Sequence, residues 1–341
     1  MVATNLRKSV HPKKVFKSQA NSTRSKSTCC NHFPNDTGTS VHTIAQPVHE
    51  KGVADLRKRA KNKFFSQELA RCLTTIESPL NRSYRRTLFE CSSMLIQEGQ
   101  KITSKYCNAR WCNVCNRIRT AKLINGYRKA LEGFSEPYFV TLTIPNPTGE
   151  NLPESIKTMF KTIQLIVRSR RRITPFNGIR KLECTYNANE DTFHPHFHFI
   201  IDGKDNSEWL VNEWLKRNPD TSPQGQDFRK ADSNSLMELF KYTTKIVSKT
   251  NQGFQVFIQP LDTIFQSMYK VRTFQPFGNV RMISEDIENI ESDIYKDIPF
   301  YESLVLVWQK NDWYNMLTYE PLTGYEPSNR MIQLTTEKFI L

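Results

Sequence analysis

The stretch His194-Pro-His196-Phe-His198-Phe-Ile-Ile201 decides the fold, and it holds three of the chain's seven histidines within five residues. Alternate side chains of a β-strand share one face, so the three imidazoles would point one way while Phe197, Phe199 and Ile201 fill the core side. Neutral imidazole nitrogens bind divalent transition metals well. The stretch therefore predicts a strand with one buried apolar face and one metal-binding face.

The segments around this strand alternate between strand and helix patterns. Residues 179–186 form a second strand candidate, joined to the first by a polar turn over 187–191, and this pattern predicts a hairpin. Glu183 on that strand could supply a carboxylate ligand. Upstream, residues 138–144 are β-branched and aromatic, and residues 153–172 place apolar side chains at helical spacing.

The order of these segments predicts an α+β fold. We expect a helix capped by Ser207, a short strand over 227–229 and a helix over 234–248. Helices packed against one mainly antiparallel sheet would accommodate this order, with a zinc-binding segment preceding it. Beyond Pro276 the sequence loses clear periodicity, so little regular structure is predicted there.

The charge of the chain indicates a polyanionic partner. Among 341 residues the formal net charge is +14, yet residues 282–341 hold 11 acidic and only 4 basic residues, so the basic surface lies upstream. No apolar run is long enough to span a bilayer, and the first residues lack the apolar core of a secretory signal. We therefore expect a cytoplasmic protein that does not contact membranes.

Three cysteines form a knuckle in Cys107-Asn-Ala-Arg-Trp-Cys112-Asn-Val-Cys115, which runs into a basic stretch. Thiolates at this spacing close around one tetrahedral Zn²⁺, for which Cys91 is the best fourth ligand, with Cys72 behind it. In a reducing compartment clustered cysteines bind metal more often than they form disulfides. The alternative is a set of reduced, unliganded thiols.

A tyrosine stands downstream in Met237-Glu238-Leu-Phe-Lys241-Tyr242-Thr-Thr-Lys245. On a helix Glu238 and Tyr242 would be neighbours one turn apart, with Lys245 a further turn along. A phenol, with a pKa of about 10, becomes a better nucleophile beside an ammonium group and a metal-bound phosphate. The same residues are also typical of a solvent-exposed helix face. The segment therefore indicates a nucleophile only in combination with the clustered histidines upstream.

Three blocks together resemble the ordered motifs of the HUH endonucleases, and within them the replication initiators of rolling-circle plasmids. Residues 139–144 are similar to the first strand of the family, 194–201 to its metal motif and 241–245 to its nucleophile motif. The resemblance covers roughly residues 86–280. Glu238 one turn before Tyr242 is similar to the branch with a single tyrosine and a glutamate.

The resemblance implies a mechanism and a set of roles. His196, His198 and Glu183, with His194 adjoining, would hold Mn²⁺ or Mg²⁺. Tyr242 would attack the scissile phosphate, assisted by Lys245, and leave a 5′-phosphotyrosine and a free 3′-hydroxyl primer. Glu238 would act as general base at termination, when water cleaves the second junction.

The implied partners are single-stranded or hairpin origin DNA and host replication proteins such as a helicase and a polymerase. The residues expected to contact DNA phosphates are basic ones near the knuckle and the tyrosine: Arg110, Arg117, Arg119 and Lys241. Four regions are predicted, namely a mobile basic arm (1–55), a helical and zinc-knuckle DNA-binding region (56–130), the nicking domain (131–280) and an acidic C-terminal region (281–341).

Three alternatives remain open on the residues alone. A transposase or relaxase of the same superfamily would differ in its DNA substrate. A non-catalytic zinc-containing DNA-binding protein would account for the cysteines and the charge but not for the histidines. A histidine-triad nucleotide hydrolase has a similar histidine pattern, but it would explain neither the tyrosine segment nor the cysteines.

Overall fold

The predicted hairpin lies at the centre of a five-stranded sheet. In the computed structural model, which describes residues 47–98, 101–240, 244–282, 293–294 and 304–341, its two strands pair without interruption from Gly178 opposite Ile201 to Asn187 opposite Thr192. The strand at 137–143 flanks the histidine strand on its other side. The central hairpin and its flanking strand are therefore confirmed.

The described residues form eight α-helices and thirteen strands. The helices are α1 (Pro47–Leu73), α2 (Asn81–Phe89), α3 (Asn113–Glu132), α4 (Leu152–Arg170), α5 (Lys204–Arg217), α6 (Ser233–Phe240), α7 (Ile258–Ser267) and α8 (Asn329–Glu337). The strands are β1 (Met94–Glu98), β2 (Lys101–Ser104), β3 (Pro137–Thr143), β4 (Gly178–Asn187), β5 (Thr192–Asp202), β6 (Asp227–Lys230), β7 (Ser248–Thr250), β8 (Gly253–Phe257), β9 (Phe274–Phe277), β10 (Asp293–Ile294), β11 (Leu304–Gln309), β12 (Asp312–Asn315) and β13 (Phe339–Ile340).

The strands make three sheets, with the orders β6-β3-β5-β4-β9, β10-β2-β1-β11-β12 and β13-β8-β7. All strand pairs are antiparallel except β13 with β8. The α+β class is confirmed, and the strands predicted between residues 138 and 229 share one antiparallel sheet; the structure also contains two further sheets. The second sheet arises because residues predicted to lack order beyond Pro276 form β11 and β12, and β11 pairs with β1.

The two faces of the central sheet carry different layers. Phe197 on one face packs against Phe160 of α4, with ring centroids 5.2 Å apart, and against Trp214 of α5 at 6.2 Å. On the face that carries the histidines, Phe139, Ile179 and Ile200 pack with residues of α3 and α6. Because side chains alternate along a strand, this second face brings α6 to the side of the sheet on which the histidines lie.

Two predicted helix boundaries are wrong. Helix α5 begins after Gly203, whose φ is +96°, and Ser207 lies inside its first turn with its hydroxyl donating to the Gly203 carbonyl. The helix expected over 234–248 ends at Phe240 in the described part, and Thr244 makes a parallel bridge with Cys184. The β-branched residues that follow Tyr242 favour extended backbone, which explains the shorter helix.

The division into four regions stays a prediction, to which the structure adds two facts. Helix α1 begins at Pro47, inside the region predicted as an arm, while residues 1–46 lie outside the described part. All described residues belong to one compact unit, and the C-terminal strand β11 completes the sheet begun by β1 of the knuckle region.

Gly278 is expected to tolerate no side chain. Its φ is +72°, and a Cβ there would lie 2.8 Å from Asn177 Cα and against the Phe176 carbonyl oxygen. Gly324 is the matched control, since its φ is +59° but nothing lies within 4 Å of its Cβ position. We expect Gly278→Ala to lower the free energy of unfolding by about 3 kcal/mol and Gly324→Ala by about 1 kcal/mol, measured by urea denaturation. If both variants lost the same free energy of unfolding, the close contacts of the added Cβ at Gly278 would not be destabilising.

Candidate functional site

The four predicted cysteines converge on one buried point. Cys91 follows α2, Cys107 follows β2, and Cys112 and Cys115 begin α3. Their sulfur atoms lie within 4.8 Å of one another, with Sγ distances of 3.6 Å from Cys91 to Cys112 and 3.5 Å from Cys107 to Cys115. Thiolates about 2.3 Å from a tetrahedral ion would lie about 3.8 Å apart, whereas a disulfide would need about 2.05 Å. The cluster therefore fits a tetrahedral metal ion.

The surroundings of the sulfurs also favour a bound cation. The Thr87 hydroxyl and the Ala109 amide both lie 3.4 Å from Cys107 Sγ and donate to it. Hydrogen bonds from the neighbouring thiols lower the pKa of Cys107, and those same bonds raise the pKa of Cys91, Cys112 and Cys115. The cluster therefore holds one cysteine as a thiolate, and a bound divalent cation would stabilise the other three cysteines as thiolates as well.

Cys72 takes no part in this cluster. It is half-buried and lies outside the group of converging sulfurs, so Cys91 rather than Cys72 completes the set of four. Cys29 and Cys30 lie outside the described residues.

A buried lysine lies beside the cysteine cluster. Lys63 donates from Nζ to the Cys91 carbonyl at 2.8 Å, and burial lowers the pKa of Lys63 to about 8.

The second group of metal-binding residues comes from β4 and β5. Their register sets Lys181 opposite His198 and Glu183 opposite His196. His196 Nε2 lies 3.1 Å from His198 Nε2, and Glu183 Oε2 lies 3.7 Å from His198 Nε2. The strand pairing alone thus brings one carboxylate oxygen and two ring nitrogens within 4.8 Å of one another.

The hydrogen bonds of the two histidines orient their Nε2 atoms towards each other. His196 Nδ1 lies 3.0 Å from the His194 carbonyl oxygen, which can only accept, so Nδ1 carries the proton and Nε2 carries the lone pair. His198 Nδ1 lies 3.2 Å from the Thr141 hydroxyl, which can accept in the same way. Two lone pairs that face one point, beside a carboxylate, fit a divalent cation.

The electrostatics of the group keep its ligands in the metal-binding forms. Burial lowers the pKa of His198 to about 3, so its imidazole is neutral. Burial alone would raise the pKa of Glu183, but the Lys181 ammonium and the two histidines bring it down to about 2. His194 lies apart from the group, with Nδ1 2.8 Å from Asn146 Oδ1.

Lys181 is the site residue that the sequence reasoning missed. Its side chain is 1% exposed, and its Nζ donates to Glu183 Oε2 at 2.9 Å and to the Glu238 carbonyl at 3.1 Å. It thereby ties the metal-binding carboxylate to helix α6. The signal was present, because Lys181 precedes Glu183 by two residues and shares its strand face.

Both flanks of the predicted nucleophile segment adjoin β4. Glu238 is held by Lys181, Leu239 and Phe240 pack against the histidine face of the sheet, and Thr244 bridges Cys184. Lys241 and Tyr242 lie outside the described residues. Lys245 lies in irregular backbone after the bridge, so the expectation that it continues the helix of Glu238 is wrong.

Comparison with known proteins shows a resemblance to replication proteins. A family model described as replication protein matches residues 100–206, which include the knuckle cysteines, Glu183 and all three clustered histidines. Protein rep of Staphylococcus aureus is 26% identical over 210 residues, which cover 55% of this chain and 90% of that protein. Over these residues the chain is similar to the Rep family of plasmid replication proteins.

Other Rep proteins match over shorter stretches. Protein rep of Bacillus sp is 30% identical over 139 residues, 37% of this chain and 45% of that protein. Protein rep of Bacillus amyloliquefaciens is 33% identical over 107 residues, 30% of this chain and 32% of that protein. The chain thus spans less than half the length of each Bacillus relative. No solved structure matches the chain significantly.

The arginines predicted to contact DNA differ in their surroundings. Arg110 donates to the carbonyl oxygens of Met268, at 2.6 Å, and Val271, which favours a structural role over the predicted contact with DNA. Arg119 donates to Asn116 Oδ1 and the Asn108 carbonyl. Arg117 is exposed and lies 3.3 Å from Asp55.

Among the described residues, no helix combines the length and the apolar character that crossing a membrane would require.

Loss of one cysteine is expected to empty the cysteine cluster. Cys91→Ser should reduce the metal bound to the purified chain, measured by elemental mass spectrometry, from about one ion at this cluster to a small fraction of one. Cys72→Ser is the control and should retain the ion, because Cys72 lies outside the cluster. Full metal content in Cys91→Ser, or equal loss in Cys72→Ser, would contradict this assignment.

Proposed function

We propose that this protein nicks one strand of plasmid origin DNA through Tyr242, leaving a 5′-phosphotyrosine link and a free 3′-hydroxyl that primes synthesis. The observation that carries the proposal is the group of Glu183, His196 and His198 on the sheet face that also receives helix α6. Similarity to the Rep family supports a role in initiating plasmid replication, and the site chemistry supports the nicking step.

Glu183, His196 and His198 would hold the catalytic ion, Mn²⁺ or Mg²⁺. A mixed carboxylate and imidazole set favours Mn²⁺ of the two, because imidazole binds transition metals better than Mg²⁺. When bound, the ion acts as a Lewis acid towards the scissile phosphate. Thr141 and the His194 carbonyl fix the ring orientations, and Lys181 keeps Glu183 ionised.

Tyr242 would supply the nucleophile. Its phenolic oxygen forms the new bond to phosphorus, the bond from phosphorus to the 3′ oxygen breaks, and the leaving oxygen takes a proton to become the 3′-hydroxyl. Lys245 would stabilise the phenolate or the phosphate, and Lys241 the DNA backbone. The attachment of both flanks of residues 241–243 to β4 supports a position near the metal group.

Glu238 would act later, when replication ends. A single tyrosine remains blocked after the first cut, so a water molecule must cleave the second junction, and the Glu238 carboxylate, four residues before Tyr242 in the sequence, can take its proton. Lys181 holds the Glu238 backbone, which fixes the end of α6 relative to Glu183.

The cysteine cluster would hold a structural Zn²⁺. Four buried sulfurs leave no open coordination position, which is typical of structural rather than catalytic sites. The ion would pin the start of α3, from which exposed Arg117 projects, and so present this helix to DNA phosphates. Host helicase and polymerase are the expected protein partners of the nicked origin.

Replacement of Tyr242 tests the nucleophile. With Mn²⁺ and a labelled single strand carrying the plasmid origin, the native chain should give a protein-linked 5′ fragment on a denaturing gel, and Tyr242→Phe should give none. Tyr269→Phe serves as control, because it removes another phenol while leaving the proposed site intact. Equal cutting by Tyr242→Phe would reject Tyr242, and no cutting by any of the three would favour a non-catalytic DNA-binding protein.

The histidines should differ in their effect on the metal. Since His198 belongs to the converging group and His194 does not, His198→Ala should raise the Mn²⁺ concentration for half-maximal nicking by more than about 100-fold. His194→Ala should raise it by about 10-fold or less, because the backbone carbonyl that orients His196 is kept in this variant. The reverse order would mean that His194 is the true ligand.

A further inference from the structure

An arginine-lined groove lies on the other side of the central sheet from the histidines. Its volume is about 480 Å³, and five arginines line it, contributed by α4, the turn after α4, β4 and the segment after β9: Arg168, Arg171, Arg172, Arg180 and Arg281. We call it the arginine groove. Arg180 and Lys181 are adjacent on β4, and because side chains alternate, the groove and the metal group occupy opposite faces.

Arg180 is an unusual member of this groove, because it is a buried cation. Its side chain is 5% exposed, and its guanidinium lies 4.4 Å from the centre of the Phe160 ring and 5.5 Å from that of Phe197. One nitrogen, Nη2, donates to Gln275 Oε1 at 2.5 Å, whereas Nη1 is buried and makes no hydrogen bond. A buried donor without a partner is energetically unfavourable and therefore points to a ligand.

Within the part of the chain that the structure describes, no acidic side chain pairs with the groove. Among the described residues, none of the five arginines forms a salt bridge. Burial and the nearby Arg272 lower the pKa of Arg180 to about 10, so it stays charged. The guanidinium groups of the groove repel one another, and an anion that contacts several of them would relieve this repulsion.

A structural role at the end of helix α4 explains only part of the arrangement. Cations near a helix C-terminus are stabilised by its dipole, and Arg170 shows such a role, donating to Asn206 and stacking on Trp209. The carbonyls of Val167 and Ser169 already accept amides of the following turn. Neither point accounts for Arg180, which comes from the sheet.

We propose that the arginine groove binds the phosphodiester backbone of DNA, at a position separate from the phosphate that is cut. Five guanidinium groups exceed what a single phosphate can neutralise, whereas a polyanion presents successive phosphates to them. The inference rests on the proposed function in taking DNA as the polyanion. Such a contact carries no base specificity and would hold the origin in register while the opposite face acts on one strand.

The first test compares two triple variants with the same change of charge. The groove variant is Arg168→Gln, Arg171→Gln and Arg172→Gln, and the control variant is Lys157→Gln, Lys216→Gln and Lys310→Gln, all at exposed positions. Binding is measured by fluorescence anisotropy over a salt series, with a labelled duplex and a single strand of equal length. Three lost phosphate contacts should make the slope of log K against log salt shallower by about 2.7 for duplex or about 2.1 for single-stranded DNA.

The DNA form whose slope changes identifies the form that the groove holds. If the groove variant matches the control variant on both forms, the proposal is wrong. Nicking of a short single strand that covers only the cut site should be unchanged in the groove variant. If Tyr242→Phe still cuts DNA, the proposed function is wrong. That result does not affect the groove proposal, which depends only on the binding measurements.

The second test uses Arg180→Met, which keeps the bulk of the side chain and removes its charge. If Arg180 serves a ligand, this variant should bind DNA more weakly and should unfold at the same or a higher temperature than the native chain, because an unpaired buried charge has been removed. If Arg180 serves the fold, the unfolding temperature should fall while the affinity for DNA stays unchanged. The second result would overturn the proposal.

Discussion

The register between β4 and β5 is the constraint on which the candidate site depends. Ten consecutive pairs fix which side chains meet across the two strands, and a slip of one residue would turn Glu183 and the histidines to opposite faces of the sheet. The apolar face prevents this slip, because Phe197 and Phe199 are fully buried, Phe197 against Phe160 of α4 and Phe199 against Phe277 of β9. The metal group is thus positioned by the core packing on the other side of the same strands.

Electrostatics then link the strands to the elements around them. Lys181 is buried with its ammonium shared between the Glu183 carboxylate and the end of α6, so the charge that keeps the carboxylate ionised also positions the segment that leads to Tyr242. The knuckle uses a similar arrangement, in which buried Lys63 holds the Cys91 backbone. In each cluster a lysine donates to a carboxylate or a carbonyl close to the converging ligand atoms, and the central sheet carries a further buried cation, Arg180, on its opposite face.

The sequence predicted the structure correctly where the spacing of residues within a short segment determines the fold of that segment. The alternation of histidine and phenylalanine predicted the strand and its faces, and the cysteine spacing predicted the cluster, including Cys91 as the fourth member. It failed where the structure depends on contacts between segments that are far apart in the sequence. Nothing local in residues 304–309 shows that they pair with β1, and the carbonyl groups to which Arg110 donates lie in a segment far along the chain. Helix α6 was extended too far because helical spacing was followed past the β-branched residues that end it.

On the proposed mechanism, a tyrosine of this chain becomes joined to DNA at the face that carries Glu183, His196 and His198. The most direct measurement is mass spectrometry of the protein after reaction with Mn²⁺ and an origin strand, followed by digestion of both protein and DNA. The account predicts a nucleotide attached through its 5′ phosphate to the peptide that contains Tyr242. A nucleotide on another tyrosine, or cleavage of the strand without any attached nucleotide, would contradict it.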